Sequence, residues 1–405
     1  MINPISNLIH SKIGCFLIVA SLFLSGCATK KITPNKQLLS TIYQNLNDGK
    51  LQYEYMASLL SDPQRFPQSY ADGKLITTVS GDWVSGFYPG SLWYLYKATG
   101  DVKLRNEARR IMGPLSKEQY NKTTHDVGFM LNDSYGNALK IEPKPRDKQV
   151  LINAAKSLST RFSEKVGSIK SWDSKVSDDF LVIIDNMMNL ELLFWATKET
   201  GDSSYYKIAV AHANTAMKNH FRSDYSSYHV VNYNPNTGEV VQKRTAQGYS
   251  DSSAWARGQA WGLYGFTMMY RETKDKKYLD QANHIAEYML NSPNMPKDYI
   301  PYWDFNAPNI PNAYRDASAG AIMASALFEL CKYDSGAKAK KYYKVAETVL
   351  KNLSSKEYKA EVGTNGGFIL KHSVGHFPGN GQIDVPLSYA DYYFIEAMLR
   401  YKRSL

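Results

Sequence analysis

Two carboxylates in this chain sit in settings suited to proton transfer, Asp126 and Asp185. Asp185 follows the apolar run Leu181-Val182-Ile183-Ile184 and opens Asn186-Met187-Met188-Asn189-Leu190-Glu191-Leu192-Leu193-Phe194-Trp195. Met187, Leu190, Leu193 and Phe194 recur at three- and four-residue spacing, the period of one buried helical face. Two readings of Asp185 compete. Aspartate and asparagine cap helix N-termini well, and the helix dipole favours a carboxylate there. A carboxylate at the mouth of an apolar core instead has its pKa raised toward the range of a general acid.

Further polar residues stand in loops ahead of apolar helices: His125 beside Asp126, then His229, Gln247, Arg257 and Trp261. Arg257 and Trp261 are four apart and share a helix face. Brought into one pocket, this set suits a uronic acid. Arginine grips a carboxylate through two parallel bonds, tryptophan packs against the sugar ring, and an aspartate pair supplies acid and base. Each residue alone also has a plain structural use, Arg257 as an internal ion pair and His229 as a satisfied surface residue. The single His-x-x-x-His, His372 to His376, contains Gly375 and precedes Phe377-Pro378-Gly379, which points to a loop. With no glutamate after the first histidine and no cysteine pair, no metal site is predicted. There is no phosphate loop and no nucleophile elbow, and no cofactor is expected.

The elements that must position these residues recur. Trp83 to Tyr96 leads into Gly100-Asp101, Asp185 to Trp195 into Gly201-Asp202, and Trp261 to Phe266 into Lys274-Asp275. Each aromatic-rich helix is followed by a more polar amphipathic one: Val102 to Met112, Ser203 to Asn219, Lys277 to Leu290. Glycine after a helix and aspartate before the next are ordinary cap chemistry. Ala317 to Cys331 and Tyr389 to Leu399 are further apolar helices. Inner apolar helices alternating with outer amphipathic ones predict an all-α fold of helical hairpins, wound into a closed toroid or a solenoid. Strands are few; Tyr228 to Tyr233 before Asn234-Pro235-Asn236-Thr237-Gly238 is the clearest hairpin. The Pro-, Gly- and Ser-rich stretch from Phe66 to Asp82 reads as loop.

The chain holds 48 Lys and Arg against 38 Asp and Glu, a net charge of +10. No arginine-rich run accompanies that charge, so an acidic polysaccharide is a more natural partner than nucleic acid. Seven Trp and 30 Tyr are a heavy aromatic load, common in carbohydrate sites and in helical cores alike. Gly14 to Gly26 is an apolar run too short to span a bilayer comfortably, and it ends in Leu24-Ser25-Gly26-Cys27. It looks like a bacterial lipoprotein signal. That resemblance implies residues 1–26 as signal, lipidation at Cys27 and a tether over 27–37, ahead of one catalytic domain over 38–405. Ala28-Thr29-Lys30-Lys31 carries no acidic residue, which favours the outer membrane, facing the periplasm. Cys331 is then the only free thiol and reads as inert core. Nothing in the sequence specifies an oligomeric state.

In combination the motifs resemble the unsaturated glucuronyl hydrolases, family 88 of the glycoside hydrolases, from about Leu38 to Tyr401. They are Gly81-Asp82-Trp83, His125-Asp126-Val127-Gly128-Phe129, Asp185-Asn186-Met187-Met188-Asn189 and Ser226-Ser227-Tyr228-His229. Gln247-Gly248, Trp255-Ala256-Arg257-Gly258-Gln259-Ala260-Trp261, Pro301-Tyr302-Trp303-Asp304-Phe305, Arg315-Asp316-Ala317, Gly375-His376 and Asp391-Tyr392-Tyr393 complete the set. The resemblance implies an (α/α)6 barrel with a few short strands in loops. It implies Asp185 as general acid and base and Asp126 as the second, substrate-positioning carboxylate. Trp83, His125, Trp172, His229, Gln247, Arg257 and Trp261 match its substrate contacts. The implied reaction hydrates the 4,5-double bond of a terminal unsaturated uronate left by a lyase. Two other readings stand beside it: an unsaturated rhamnogalacturonyl hydrolase on the same barrel, and a glycan-binding lipoprotein without catalysis. His125-Asp126 and the Ser226 to His229 motif favour the glucuronyl group over the first. The carboxylate pair argues against the second, since a binder needs no protonatable carboxyl.

Overall fold

Asp101, Asp202 and Asp275 show how the helical repeat is written into the backbone. Each accepts a hydrogen bond from the amide two residues on, at Lys103, Ser204 and Lys277, and so caps an outer helix. Such caps contribute about 1 kcal/mol each. Just before each cap the chain passes through the left-handed region, at Gly100 (φ 75°), Gly201 (φ 77°) and Lys274 (φ 59°), which ends the inner helix.

The structure is a computed structural model that describes residues 34–173 and 179–403, all within the compact unit Thr33–Leu405. The signal expected over residues 1–26 and the lipidation expected at Cys27 lie outside the described residues. The first six α-helices are α1 (Lys36–Leu59), α2 (Phe87–Thr99), α3 (Val102–Leu115), α4 (Asn137–Ile141), α5 (Pro145–Ser159) and α6 (Leu190–Thr200). The others are α7 (Ser203–Asn219), α8 (Ala256–Thr273), α9 (Lys276–Asn291), α10 (Ala317–Leu330), α11 (Gly336–Leu353) and α12 (Ser388–Arg403). A π-helix, Gly128–Gly136, runs directly into α4 and the two act as one inner member. The inner ring is α2, the π-helix with α4, α6, α8, α10 and α12; each packs on the next, and α12 closes on α2. Outside it α3, α5, α7, α9 and α11 each pack on the inner member before them, and α1 covers the seam. This is an all-α (α/α)6 barrel. Every residue of α10 is buried, as an inner helix requires, whereas outer α9 and α11 bury one stripe. Among the described residues no helix is long and apolar enough to cross a membrane.

The short sheets gather where the inner helices begin. Phe66–Ala71 pairs with Lys74–Thr78, so this stretch is a hairpin and not the loop its composition implied. Asp72 and Gly73 at its tip both have positive φ, 52° and 72°, the requirement of a two-residue type I′ turn. Phe180–Ile183, Val230–Tyr233 and Val240–Arg244 form an antiparallel sheet in that order, and its second pair is the hairpin expected after Tyr228. His372 to His376 is likewise not a free loop: Ser373–His376 pairs with Gly381–Val385. His372 Nδ1 lies 2.7 Å from Asp384 Oδ1, while His376 Nε2 lies 3.0 Å from the carbonyl of Ala246, so the two rings serve different partners.

An aromatic layer of Phe87, Phe129, Trp261 and Tyr393 fills the barrel below the sheets, with centroids 5.2–6.1 Å apart. Below it α1 begins, two residues earlier than the sequence indicated. Asn35 caps it through the amide of Leu38 and donates its own amide to Tyr401 Oη at 2.8 Å. Tyr401 lies twelve residues beyond Tyr389 on α12, about 18 Å along the helix axis.

Candidate active site

Sheet register brings the chemistry together. Ile183 pairs with Val230 and Val230 with Arg244. Asp185, just past the first strand, His229, just before the second, and Gln247, just past the third, therefore emerge at one end of the sheet. The amide of Ile184 donates to the carbonyl of His229 at 3.1 Å and locks that corner. Ser171 carries the register one step further. Its amide donates to the Leu181 carbonyl, its hydroxyl accepts from the Ile183 amide, and its carbonyl accepts from the His125 amide. His125 and Asp126 are thereby set beside Asp185. Trp172 bridges Thr124 and packs on the cluster of Leu181, Ile183 and Val230.

Asp185 lies in a 3-10 turn, Ile184–Met188, ahead of α6 and makes no capping bond. The two asparagines near it hold the turn: Asn186 donates to the Ile169 carbonyl, and Asn189 accepts from the Phe129 amide. Only 7 % of Asp185 is exposed. Burial raises its pKa to about 6; neighbouring His125 and the Arg257 guanidinium pull it down, and the Asp126 carboxylate pushes it up. The cap reading of Asp185 is therefore set aside. Asp126 stays partly exposed and accepts from the Thr124 hydroxyl at 2.6 Å through Oδ2.

His229 Nδ1 accepts from the amides of Ala246 and Gln247, both at 3.2 Å. Burial, then the charge of Arg257, holds this ring well below the ordinary histidine pKa, so it is neutral with its proton on Nε2. That nitrogen stands 3.6 Å from Asp185 Oδ2.

Arg257 departs from the two-pronged grip its sequence position implied. Its Nη1 bonds Asp316 and the Val374 carbonyl, and its Nη2 bonds Gln247 Oε1 and the Gly375 carbonyl. Both prongs are committed inside the protein, and Nε alone is left over. The internal-pair reading of this residue describes the geometry, and Gln247 is held by the same guanidinium. Trp261 is fully buried in the aromatic layer, one helical turn below Arg257. Trp83 is partly exposed, and Tyr389 stacks between it (4.8 Å) and the Arg257 guanidinium (5.2 Å).

Partly exposed Trp83, Asp126, Trp172, Gln247 and His376 thus surround a floor of buried Asp185, His125, His229, Arg257 and Tyr389. Several buried polar atoms at this end of the barrel have no hydrogen-bond partner among the described residues: His229 Nε2, Asp185 Oδ2, Arg257 Nε, Tyr389 Oη and Trp261 Nε1. A concentration of unpaired polar atoms around one raised carboxyl is the mark of a site built for a polar ligand. Sequence reasoning passed over Tyr389, Asp316 and His376. Arg315-Asp316 and Gly375-His376 stood among the motifs but carried no role, and His376 was weighed only as a metal ligand. Among the described residues no three His, Cys, Asp or Glu side chains gather as a metal set would.

The geometry is that of a polar-ligand site with a buried acid at the open end of a helical barrel. The family model Glycosyl Hydrolase Family 88 matches residues 63–403. An unsaturated glucuronyl hydrolase of Formosa agariphila is 44 % identical over 388 residues, 95 % of this chain and 96 % of its own. A solved unsaturated glucuronyl hydrolase specific for heparin is 48 % identical with a TM-score of 0.87, over 90 % of this chain and 97 % of that one. The Bacillus sp. GL1 enzyme structure is 31 % identical with a TM-score of 0.83, over 89 % and 97 %. The chain belongs to Glycosyl Hydrolase Family 88.

Proposed function

We propose that this enzyme removes a 4,5-unsaturated uronic acid from the non-reducing end of lyase-generated oligosaccharides by hydrating the vinyl ether double bond. The observation that carries this reading is Asp185, a buried carboxyl with a pKa of about 6 among unpaired polar atoms. A carboxyl poised there serves as acid and as base at near-neutral pH. Asp185 protonates C4, and the ring oxygen shares the positive charge left at C5. Water attacks C5 and returns its proton to Asp185, regenerating the acid. The hemiketal then opens and frees the rest of the oligosaccharide. Asp126, with Oδ2 accepting from Thr124 and Oδ1 3.0 Å from His125 Nε2, is partly exposed and has lone pairs left to accept from a sugar hydroxyl. The Nε2–H of His229 and the Nε–H of Arg257 supply donors, and Trp83 and Trp172 supply apolar faces for the ring.

The test is loss of the ultraviolet absorbance of the conjugated double bond across unsaturated disaccharides that differ in linkage and sulfation. Heparin-type disaccharides head the panel, because the 48 % identical neighbour is heparin-specific. Loss with wild type but not with Asp185→Asn supports hydration. Binding without loss on every member would replace it with glycan capture.

The same reading gives the enzyme an address in the bacterial envelope through lipid at Cys27, on the periplasmic face of the outer membrane. The support is the Leu24-Ser25-Gly26-Cys27 ending of the apolar run. Cys27→Ser should move the protein from the membrane to the soluble fraction; unchanged fractionation would remove the anchor.

A further inference from the structure

The sheet that delivers Asp185, His229 and Gln247 has two faces with different neighbours. Phe180, Val182, Val231 and Tyr233 pack one face on Val166 and Tyr228. Leu181, Ile183 and Val230 turn the other toward Trp172, whose bridge to Thr124 stands next to His125 and Asp126. That second face is a wall of the opening. Register adds one more residue to it. Arg244 pairs directly with Val230, and Val230 with Ile183, so the three side chains share a face. Lys243, one residue earlier, goes to the other face and lies over the Tyr228 ring at 5.0 Å.

Arg244 is a partly buried cation that the protein leaves unmatched. Its guanidinium donates from Nη1 to the Thr245 carbonyl at 3.2 Å and forms no ion pair among the described residues. Two acids beside this sheet serve other donors: Asp251 accepts from the Thr245 amide and Asp179 from Asn232. The Arg244 charge is nevertheless felt at the catalytic end. After burial, Arg257 and His220, it is among the causes that hold His229 below the ordinary histidine pKa. A guanidinium with most of its donors open, on the wall of a polar-ligand site, matches an oxyanion of the ligand.

The fold indicates which part of the ligand that is. Phe87, Phe129, Trp261 and Tyr393 close the barrel behind the acid, so a terminal ring that reaches Asp185 leaves the rest of its chain at the opening. Arg244 stands two strands from Ile183, about 10 Å across the sheet, further than one pyranose ring spans. It therefore lies beside the next sugar. In acidic polysaccharides that alternate uronate with hexosamine, that sugar carries its negative charge as sulfate. We propose that Arg244 is a specificity-determining residue that binds a sulfate group on the leaving sugar. The inference rests on the reaction proposed above for the ligand's identity.

The test is a set of unsaturated disaccharides matched except for sulfate: none, on the leaving sugar, or on the unsaturated ring. The readout is the ratio of kcat/KM for each sulfated member to that of the unsulfated one. For sulfate on the leaving sugar, wild type should favour the sulfated member by about tenfold, the worth of one charge-assisted bond. Arg244→Met should bring this ratio to about one, through KM, and Arg244→Lys should keep most of it. For sulfate on the unsaturated ring, the ratio should be the same in wild type and Arg244→Met. Equal losses on all three substrates in Arg244→Met, or a leaving-sugar preference that survives it, overturns the assignment, as does a wild type with no such preference. If wild type turns over none of the three, the hydration reading fails, and calorimetric affinities for the same set decide Arg244 by the same ratio. If Arg244→Met shows no cooperative melt, Arg244→Gln takes its place.

Discussion

His229 turns Nε2 toward Asp185 Oδ2 at 3.6 Å while two backbone amides fill its Nδ1. The ring is thus a fixed neutral donor beside the acid, and it has no free lone pair with which to take a proton. In the proposed reaction, proton transfer therefore falls to the Asp185 carboxyl.

Asp185→Asn keeps the shape of the side chain and removes the proton. Turnover of an unsaturated disaccharide should fall by about 10²- to 10⁴-fold, with affinity within a few-fold of wild type. Steady-state rates combined with calorimetric binding check both halves. A near-normal rate would remove Asp185 from the chemistry.

The pH profile follows from the same carboxyl. Its pKa is raised to about 6, chiefly by burial, and the reaction starts from the protonated form, so kcat/KM should be high below that pH and fall above it. The Asp126 charge is one of the causes that raise it. Asp126→Asn should therefore move the falling limb of the residual activity to lower pH. A profile flat from about pH 5 to about pH 8 contradicts this assignment.

His229→Ala should act on both stability and rate. It strips the acceptor from the Ala246 and Gln247 amides, and each unpaired buried group costs about 1–3 kcal/mol. His229→Asn offers an oxygen where Nδ1 stood and should recover most of the melting temperature without recovering the rate. Thermal melts and kinetics of the two variants separate the roles; full activity in the asparagine variant would mean that Nε2 does nothing.

Arg257→Met should be among the costlier substitutions in the barrel. Asp316 is fully buried and would lose its cation, and breaking a buried pair in this way costs about 3–5 kcal/mol. Denaturant unfolding monitored by circular dichroism measures it. A loss of less than about 1 kcal/mol would mean that Asp316 finds another partner.

The repeat was readable because each of its parts is local. Gly100-Asp101, Gly201-Asp202 and Lys274-Asp275 end one helix and cap the next within three residues. The hairpin at Asp72-Gly73 was readable in principle, but the prolines and serines around it hid the turn pair. Arg257 was different in kind. Its partners Val374 and Gly375 are more than a hundred residues away in sequence, so spacing could nominate it as a ligand but could not show that its fork was occupied. Tyr389 was recognised as part of an inner helix; that its ring lies between Trp83 and Arg257 depends on closure of the ring of helices.

The bond between Asn35 and Tyr401 ties the first described turn of the chain to the far end of α12. That end lies about 18 Å along α12 from Tyr389, on the side remote from the carboxyls. Asn35 and the acid therefore stand at opposite ends of one helix, so loosening the Asn35–Tyr401 join would free that end of the barrel while leaving the approach to Asp185 as it was.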